Sequence, residues 1–149
     1  MTEHFRRLEQ MYTAAPVNAS IEALRITIAA GEATITLQAT PDMCHAAGTV
    51  HGCHYFKPLD DAAFFAASSL DEERFVLTAS FQLELYRAVT PGPLRAEGKV
   101  TKAGRSLIFA ASELFDAEGR LVAKGTGTFA RSSLPLIDVE AYAAPLKTR

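Results

Sequence analysis

One segment constrains this chain more than any other. From about residue 52 to 69, Phe56, Leu59, Ala63, Ala66 and Leu70 recur at three- and four-residue steps, the spacing of an α-helix. Ala62, Ala63, Ala66 and Ala67 are small and apolar, so other elements can approach this helix closely on more than one side. A helix apolar over so much of its circumference belongs in the middle of a fold. Nearly everything after it alternates with a period of two. Phe75, Leu77, Ala79, Phe81, Leu83 and Leu85 alternate with Val76, Thr78, Ser80, Gln82, Glu84 and Tyr86. Three more strands follow, over 94–101, 107–111 and 121–131, punctuated by Pro91-Gly92-Pro93, Ala103-Gly104 and Asp116-Ala117-Glu118-Gly119.

The N-terminal third supplies the remaining elements. Residues 2–14 read as an amphipathic helix, with Phe5, Leu8 and Tyr12 on one side, and Pro16 closes it. Leu24, Ile26 and Ile28, then Ile35, Leu37 and Ala39, alternate with polar neighbours on either side of Gly31-Glu32, which predicts a hairpin. The order is helix, two strands, buried helix, four strands. A single antiparallel sheet wrapped around one long central helix, an α+β architecture, satisfies it with short connections. The expected organisation is one domain over 1–149, with a core over about 18–131 and a surface tail over about 132–149. Sheet edges and a partly apolar outer face call for a homo-oligomer, a dimer or a dimer of dimers.

Composition narrows the partners. The 149 residues carry 21% charged side chains and a net charge of −2, without the basic stripe that nucleic acid requires. No window approaches the ~20 apolar residues of a membrane span. The opening Met-Thr-Glu-His-Phe-Arg-Arg has no apolar run of secretory length, and the two cysteines, Cys44 and Cys53, are expected as free thiols. These features predict a cytoplasmic protein.

The chemistry concentrates in His45-Ala-Ala-Gly-Thr-Val-His51-Gly52-Cys53 and in Asp60-Asp61, two turns into the helix. A helix that opens at a glycine presents free N–H groups and the positive end of its dipole. Such a terminus stabilises an oxyanion, and a nearby carboxylate handles a proton or attacks a carbonyl. Asp60 and Asp61 compete for that role, because helical neighbours point about 100° apart. His45, His54, Cys44, Cys53 and Asp60 raise the question of a metal, but their spacing matches no C-x-x-C or H-x-x-x-H pattern, and no metal is expected. Cys53 as a nucleophile is a further alternative.

Gly48-Thr-Val-His51-Gly52, followed by Asp60-Asp61-Ala62 and embedded in this element order, resembles the hotdog fold. More narrowly, the chain resembles the phenylacetate-pathway-type (PaaI-like) acyl-CoA thioesterases, whose pattern is an Asn, a Gly-x-x-His-Gly-Gly turn and an Asp nine residues after the His. Leu85-Tyr86-Arg87-Ala88, Gly104-Arg105 and Ala123-Lys124-Gly125-Thr126-Gly127-Thr128-Phe129 extend the likeness, which runs from about residue 18 to 131. The resemblance implies hydrolysis of an acyl- or aryl-CoA without any cofactor beyond the coenzyme A of the substrate. It assigns Asp60 as base or nucleophile, the backbone around Gly52 and Cys53 to the thioester carbonyl, and Thr78 to the water. Asp60 then faces the turn of a second subunit, with Arg87 or Arg105 on the coenzyme A phosphates. Three positions depart from the pattern: His45 replaces the Asn, Cys53 replaces the second Gly, and Pro58 enters the first turns of the helix. His45 is expected either to take over the polarising hydrogen bond or to alter the chemistry, His51 either to hold the turn or to serve among the catalytic residues as a proton donor, and Pro58 to require a late start or a bend. The rival readings are an acyl-thioester dehydratase and a non-catalytic acyl-thioester-binding module.

Overall fold

The computed structural model describes residues 2–148. Helix α1 (Thr2–Ala14) precedes a hairpin of β1 (Arg25–Ala29) and β2 (Glu32–Ala39). Then come the long helix α2 (Cys53–Ser68) and strands β3 (Arg74–Leu85), β4 (Gly92–Ala103), β5 (Leu107–Phe115) and β6 (Leu121–Pro135), followed by the short helix α3 (Glu140–Ala143). The six strands form one antiparallel sheet in the order β1-β2-β4-β5-β6-β3. β1 and β3 are its edges, and α2 packs against its inner face.

The alanines of α2 make that packing close. Leu59, Ala62, Ala63, Ala66 and Ala67 are completely buried. At Gly98 on β4, an added Cβ would stand 2.2 Å from the Ala62 carbonyl oxygen, so only glycine lets β4 come this near. Ser112 on β5 adds a hydrogen bond from its hydroxyl to the Leu59 carbonyl (2.8 Å). The helix ends at Ser69, whose hydroxyl donates to Ala66 O and accepts from the Gly31 N–H, both at 2.7 Å. Beyond it, buried Asp71 accepts from the Glu73 and Arg74 amides and from Arg131 Nη1 (2.7 Å), which holds its carboxyl below the usual range despite burial.

Three expectations need correction. The run 75–85 is not a simple alternation. The pairing of β3 with β6 shifts between Thr78 and Ser80, so Ala79 forms a bulge. The extra residue moves Val76 and Thr78 onto the same inner face as Phe81 and Leu83, whereas strict alternation put them on opposite faces. Second, residues 132–148 are not a surface extension. β6 continues to Pro135, and Leu136 and Tyr142 are buried, at 2% and 7% exposure. The α3 segment clasps α1: Tyr142 Oη lies 2.7 Å from His4 Nδ1, and Arg7 donates to Tyr142 O and Ala144 O. Third, α2 does not start late. It begins at Cys53 and runs through Pro58, which has no N–H to return to the His54 carbonyl. The proline ring is buried in the wall of a cavity of about 240 Å³ that it shares with Tyr12, Ile21, Leu37, Met43 and His54.

Candidate functional site

The face of α2 turned toward the edge strand β3 carries Phe56, Asp60 and Phe64, each one turn from the next. Each of the three meets a residue of β3. Phe56 packs edge-to-face on Phe81 at 5.3 Å between ring centroids, and Phe64 packs on Phe75 at 5.7 Å. Between these aromatic pairs, Thr78 Oγ1 donates to Asp60 Oδ1 at 3.0 Å. The surroundings dominate the titration of this carboxyl. Burial raises its pKa from 3.8 to about 6, against the lowering by the Thr78 hydrogen bond, with a smaller rise from Asp61 and a smaller fall from Lys57. A half-buried carboxylate on an open sheet edge, titrating near neutrality, is suited to proton transfer.

Its neighbour is engaged elsewhere. Asp61 Oδ2 accepts from Lys57 Nζ (2.7 Å) and from the Tyr12 hydroxyl of α1 (2.9 Å). The 100° between successive helical residues thus sends one carboxylate to β3 and the other to α1. The Lys57–Asp61 pair was readable as an i,i+4 ion pair, but the contribution of Tyr12, 49 residues away, was not.

The loop before α2 is held by backbone bonds. Val50 N–H donates to Val89 O, and His51 N–H to Met43 O, both at 2.9 Å. The Tyr55 hydroxyl donates to Arg87 O (3.0 Å) and accepts from the Val89 N–H (2.9 Å), securing the end of β3 to the first turn of α2. At the helix mouth, the Cys53 N–H is already given to His51 Nδ1 (3.1 Å). The Gly52 N–H has no acceptor among the described residues. The free amide is therefore that of Gly52 rather than Cys53, and it carries the positive end of the α2 dipole. The His51 ring thus caps the first turn of α2. The His45 ring folds onto its own loop, accepting from the Ala47 N–H (3.1 Å) and meeting Thr49 Oγ1 (2.8 Å). It also stands edge-to-face to the His51 ring that caps Cys53, at 6.5 Å between centroids.

One chain alone does not assemble Asp60 with that mouth. The seven residues from Cys53 to Asp60 span about 10 Å of helix. The two arginines are also far apart and exposed. Arg87 follows β3 beside the first turn of α2, whereas Arg105 sits in the β4–β5 turn, near Arg131 and the far end of α2. Among the described residues no three His, Cys, Asp or Glu side chains converge as a metal site. Cys44 and Cys53 are free thiols, Cys53 exposed. Among the same residues, no helix is long and apolar enough to cross a membrane.

Comparison with known proteins follows the same lines. Residues 47–123, just over half of the chain, match the family model described as Thioesterase superfamily. The E. coli PaaI protein from the phenylacetic acid degradation operon superposes with a TM-score of 0.81 at 19% identity, covering 90% of this chain and 96% of that one. A thioesterase family protein from Silicibacter pomeroyi gives a TM-score of 0.78 at 24% identity, covering 85% and 96%. A Saccharolobus solfataricus protein that carries an esterase name is 24% identical over 127 residues, 85% of this chain and 86% of its own length. The superpositions show the hotdog fold anticipated from the sequence.

Proposed function

This chain belongs to the thioesterase superfamily, a hydrolase of thioester bonds, and we propose that it cleaves an acyl- or aryl-coenzyme A to the free acid and coenzyme A. The hydrogen bond between Thr78 and Asp60, on an open sheet edge, carries this reading. With its pKa near 6, Asp60 is mostly ionised at neutral pH and still basic enough to accept a proton. Thr78 donates to Oδ1 and uses a lone pair to hold the attacking water, while Oδ2 takes the proton as the water oxygen bonds to the thioester carbon. The tetrahedral intermediate places its oxyanion on the Gly52 N–H of a second copy, at the α2 dipole. Its collapse breaks the C–S bond, and the proton on Asp60 passes to the departing thiolate.

The unpaired edge strand supports a place for the second copy. β3 is twelve residues long, and its outer edge is unpaired among the described residues; Leu77 and Leu85 are each about half exposed. Such an edge is a template for another strand. We choose the register that brings Thr78 of one copy to Leu85 of the other. Antiparallel pairing about a twofold axis at Gln82 sets Phe81 opposite Leu83 and Ser80 opposite Glu84. Because Ala79 is skipped, Thr78 then falls opposite Leu85. Leu85 Cδ1 lies 3.2 Å from the position a Gly52 Cβ would take. That register therefore brings Asp60 of one protomer to the helix mouth of the other. Arg87, beside the same mouth, is the cation we assign to the coenzyme A phosphates; Arg105 lies at the wrong end of α2.

The test is thiol release across acyl- and aryl-CoAs by the wild-type protein and by Asp60→Asn, with coenzyme A binding measured in parallel. Turnover that disappears in the variant while binding persists supports hydrolysis. Binding without turnover in the wild type identifies a non-catalytic module, and hydration or dehydration without thiol release identifies a dehydratase.

A further inference from the structure

Phe81 follows Thr78, the hydrogen-bond partner of Asp60, on the edge strand β3. The Ala79 bulge turns its ring onto the inner face, three residues beyond Thr78. There the ring lies in a trough on β6 made by two buried glycines. A Cβ on Gly125 would stand 2.3 Å from Phe81 Cζ, and one on Gly127 would stand 2.7 Å from Phe81 Cδ2. The Phe81 ring excludes a side chain at Gly125, and the Phe81 and Phe129 rings together exclude one at Gly127. On its other side the ring meets Phe56, one turn from Asp60. Phe81 therefore fills the space between α2 and β6 immediately beside the carboxylate. The ring is only partly buried, so the space it fills adjoins the surface on which substrate would lie. Behind it are Leu59 and Ser112, joined by the hydrogen bond that fastens α2 to β5.

We propose that Phe81 sets the length of acyl chain this enzyme accepts. Its ring is the floor of the acyl pocket, and removing it opens the space over Gly125, with Phe129 still standing over Gly127. The inference rests on the assignment of Asp60 as the reacting carboxylate, and the experiment separates the two.

Thiol release is measured for the wild type, Phe81→Ala and the double variant Phe81→Ala/Gly125→Ala, over saturated acyl-CoAs from acetyl to palmitoyl. Phe81→Ala lengthens the best substrate by ~3–4 carbons, with a gain in kcat/KM of about fourfold per methylene newly accommodated. In that background the Gly125→Ala methyl meets Ser112 Oγ at 3.3 Å. It refills part of the trough and moves the optimum back toward shorter chains. Phe81→Leu gives a smaller lengthening and preserves the fold if the alanine variant is unstable. A wild type that releases no thiol from any of these acyl-CoAs or from aryl-CoAs overturns the thioesterase reading on which the inference rests, and wild-type turnover that survives Asp60→Asn overturns the assignment of Asp60. A wild type that turns over, with variants that change every chain length by one common factor, overturns the role of Phe81 alone.

Discussion

Thr78 Oγ1 and Asp60 Oδ1 are joined by a 3.0 Å hydrogen bond between the edge strand and the central helix. The bond works against burial, which pushes the Asp60 pKa up to about 6. The base form is lost as pH falls through that value, so kcat/KM should have an acid limb centred near pH 6, falling tenfold per unit below it. Thr78→Val removes a lowering influence and should move the limb to higher pH, with a loss of about tenfold in activity at neutrality. An unmoved limb in this variant would mean that the group seen in the profile is not Asp60.

Asp61 supplies a contrasting variant. Its negative charge raises the Asp60 pKa, while its own oxygen is held by Lys57 and Tyr12. Asp61→Asn keeps a polar partner for both and removes the repulsion. Activity should survive and the acid limb should move to lower pH, whereas Asp60→Asn should cost ~10²–10⁴ in kcat. The opposite ranking of the two variants would exchange their roles.

The proposed dimer can be trapped chemically. A residue on a twofold axis between antiparallel strands meets its own copy at a Cα separation of about 4.5–5.5 Å, within the range a disulfide spans. Gln82→Cys should therefore form a disulfide-linked dimer under mild oxidation, seen on a non-reducing gel, and Ser80→Cys should not. Efficient cross-linking through Ser80→Cys instead would displace the axis, and with it the meeting of Asp60 and Gly52.

Stability should carry two opposed pH dependences. The raised pKa of Asp60 means that the folded state costs free energy above about pH 6 and regains it as pH falls toward the ordinary carboxylate range. His4 acts the other way. Burial lowers its pKa below 6.5, against the raising contribution of its Ser68 hydrogen bond. The unfolded chain therefore takes the proton first, and stability is lost as pH falls through 6.5. Asp60→Asn should raise Tm at pH 8 and lose that advantage by about pH 4. His4→Ala should cost ~2–4 kcal/mol at pH 8, by leaving Tyr142 Oη and Ser68 O without their partner, and less on the acid side. Thermal melts of both variants from acid to alkaline pH provide the check.

What could be read from residues alone followed from local periodicity. The three- and four-step pattern from Phe56 to Ala66 marked α2, and the alternation around Gly31-Glu32 marked the first hairpin, because each signal lies within a single element. Asp60 and Thr78 were picked out by likeness to a family, and the fold brings them together across 18 residues. The bulge at Ala79 was not visible, since an inserted residue shows only against a partner strand. The clasp of α3 on α1 links residues 138 positions apart, and nothing in the tail's composition points to His4. What separates Asp60 from Asp61 is the neighbour each one finds, β3 or α1, and neither neighbour could be read locally.

The contact between Gly98 and the Ala62 carbonyl has a consequence on the far side of the helix. With backbone against backbone and no side chain between them, α2 has no soft layer on which to slide or roll. The carboxylate it carries is consequently delivered to the sheet edge at a fixed height and angle before any substrate arrives. A single methyl group at position 98, against the side of α2 turned away from Asp60, would tilt the whole lever and detune the reaction without touching a reacting atom.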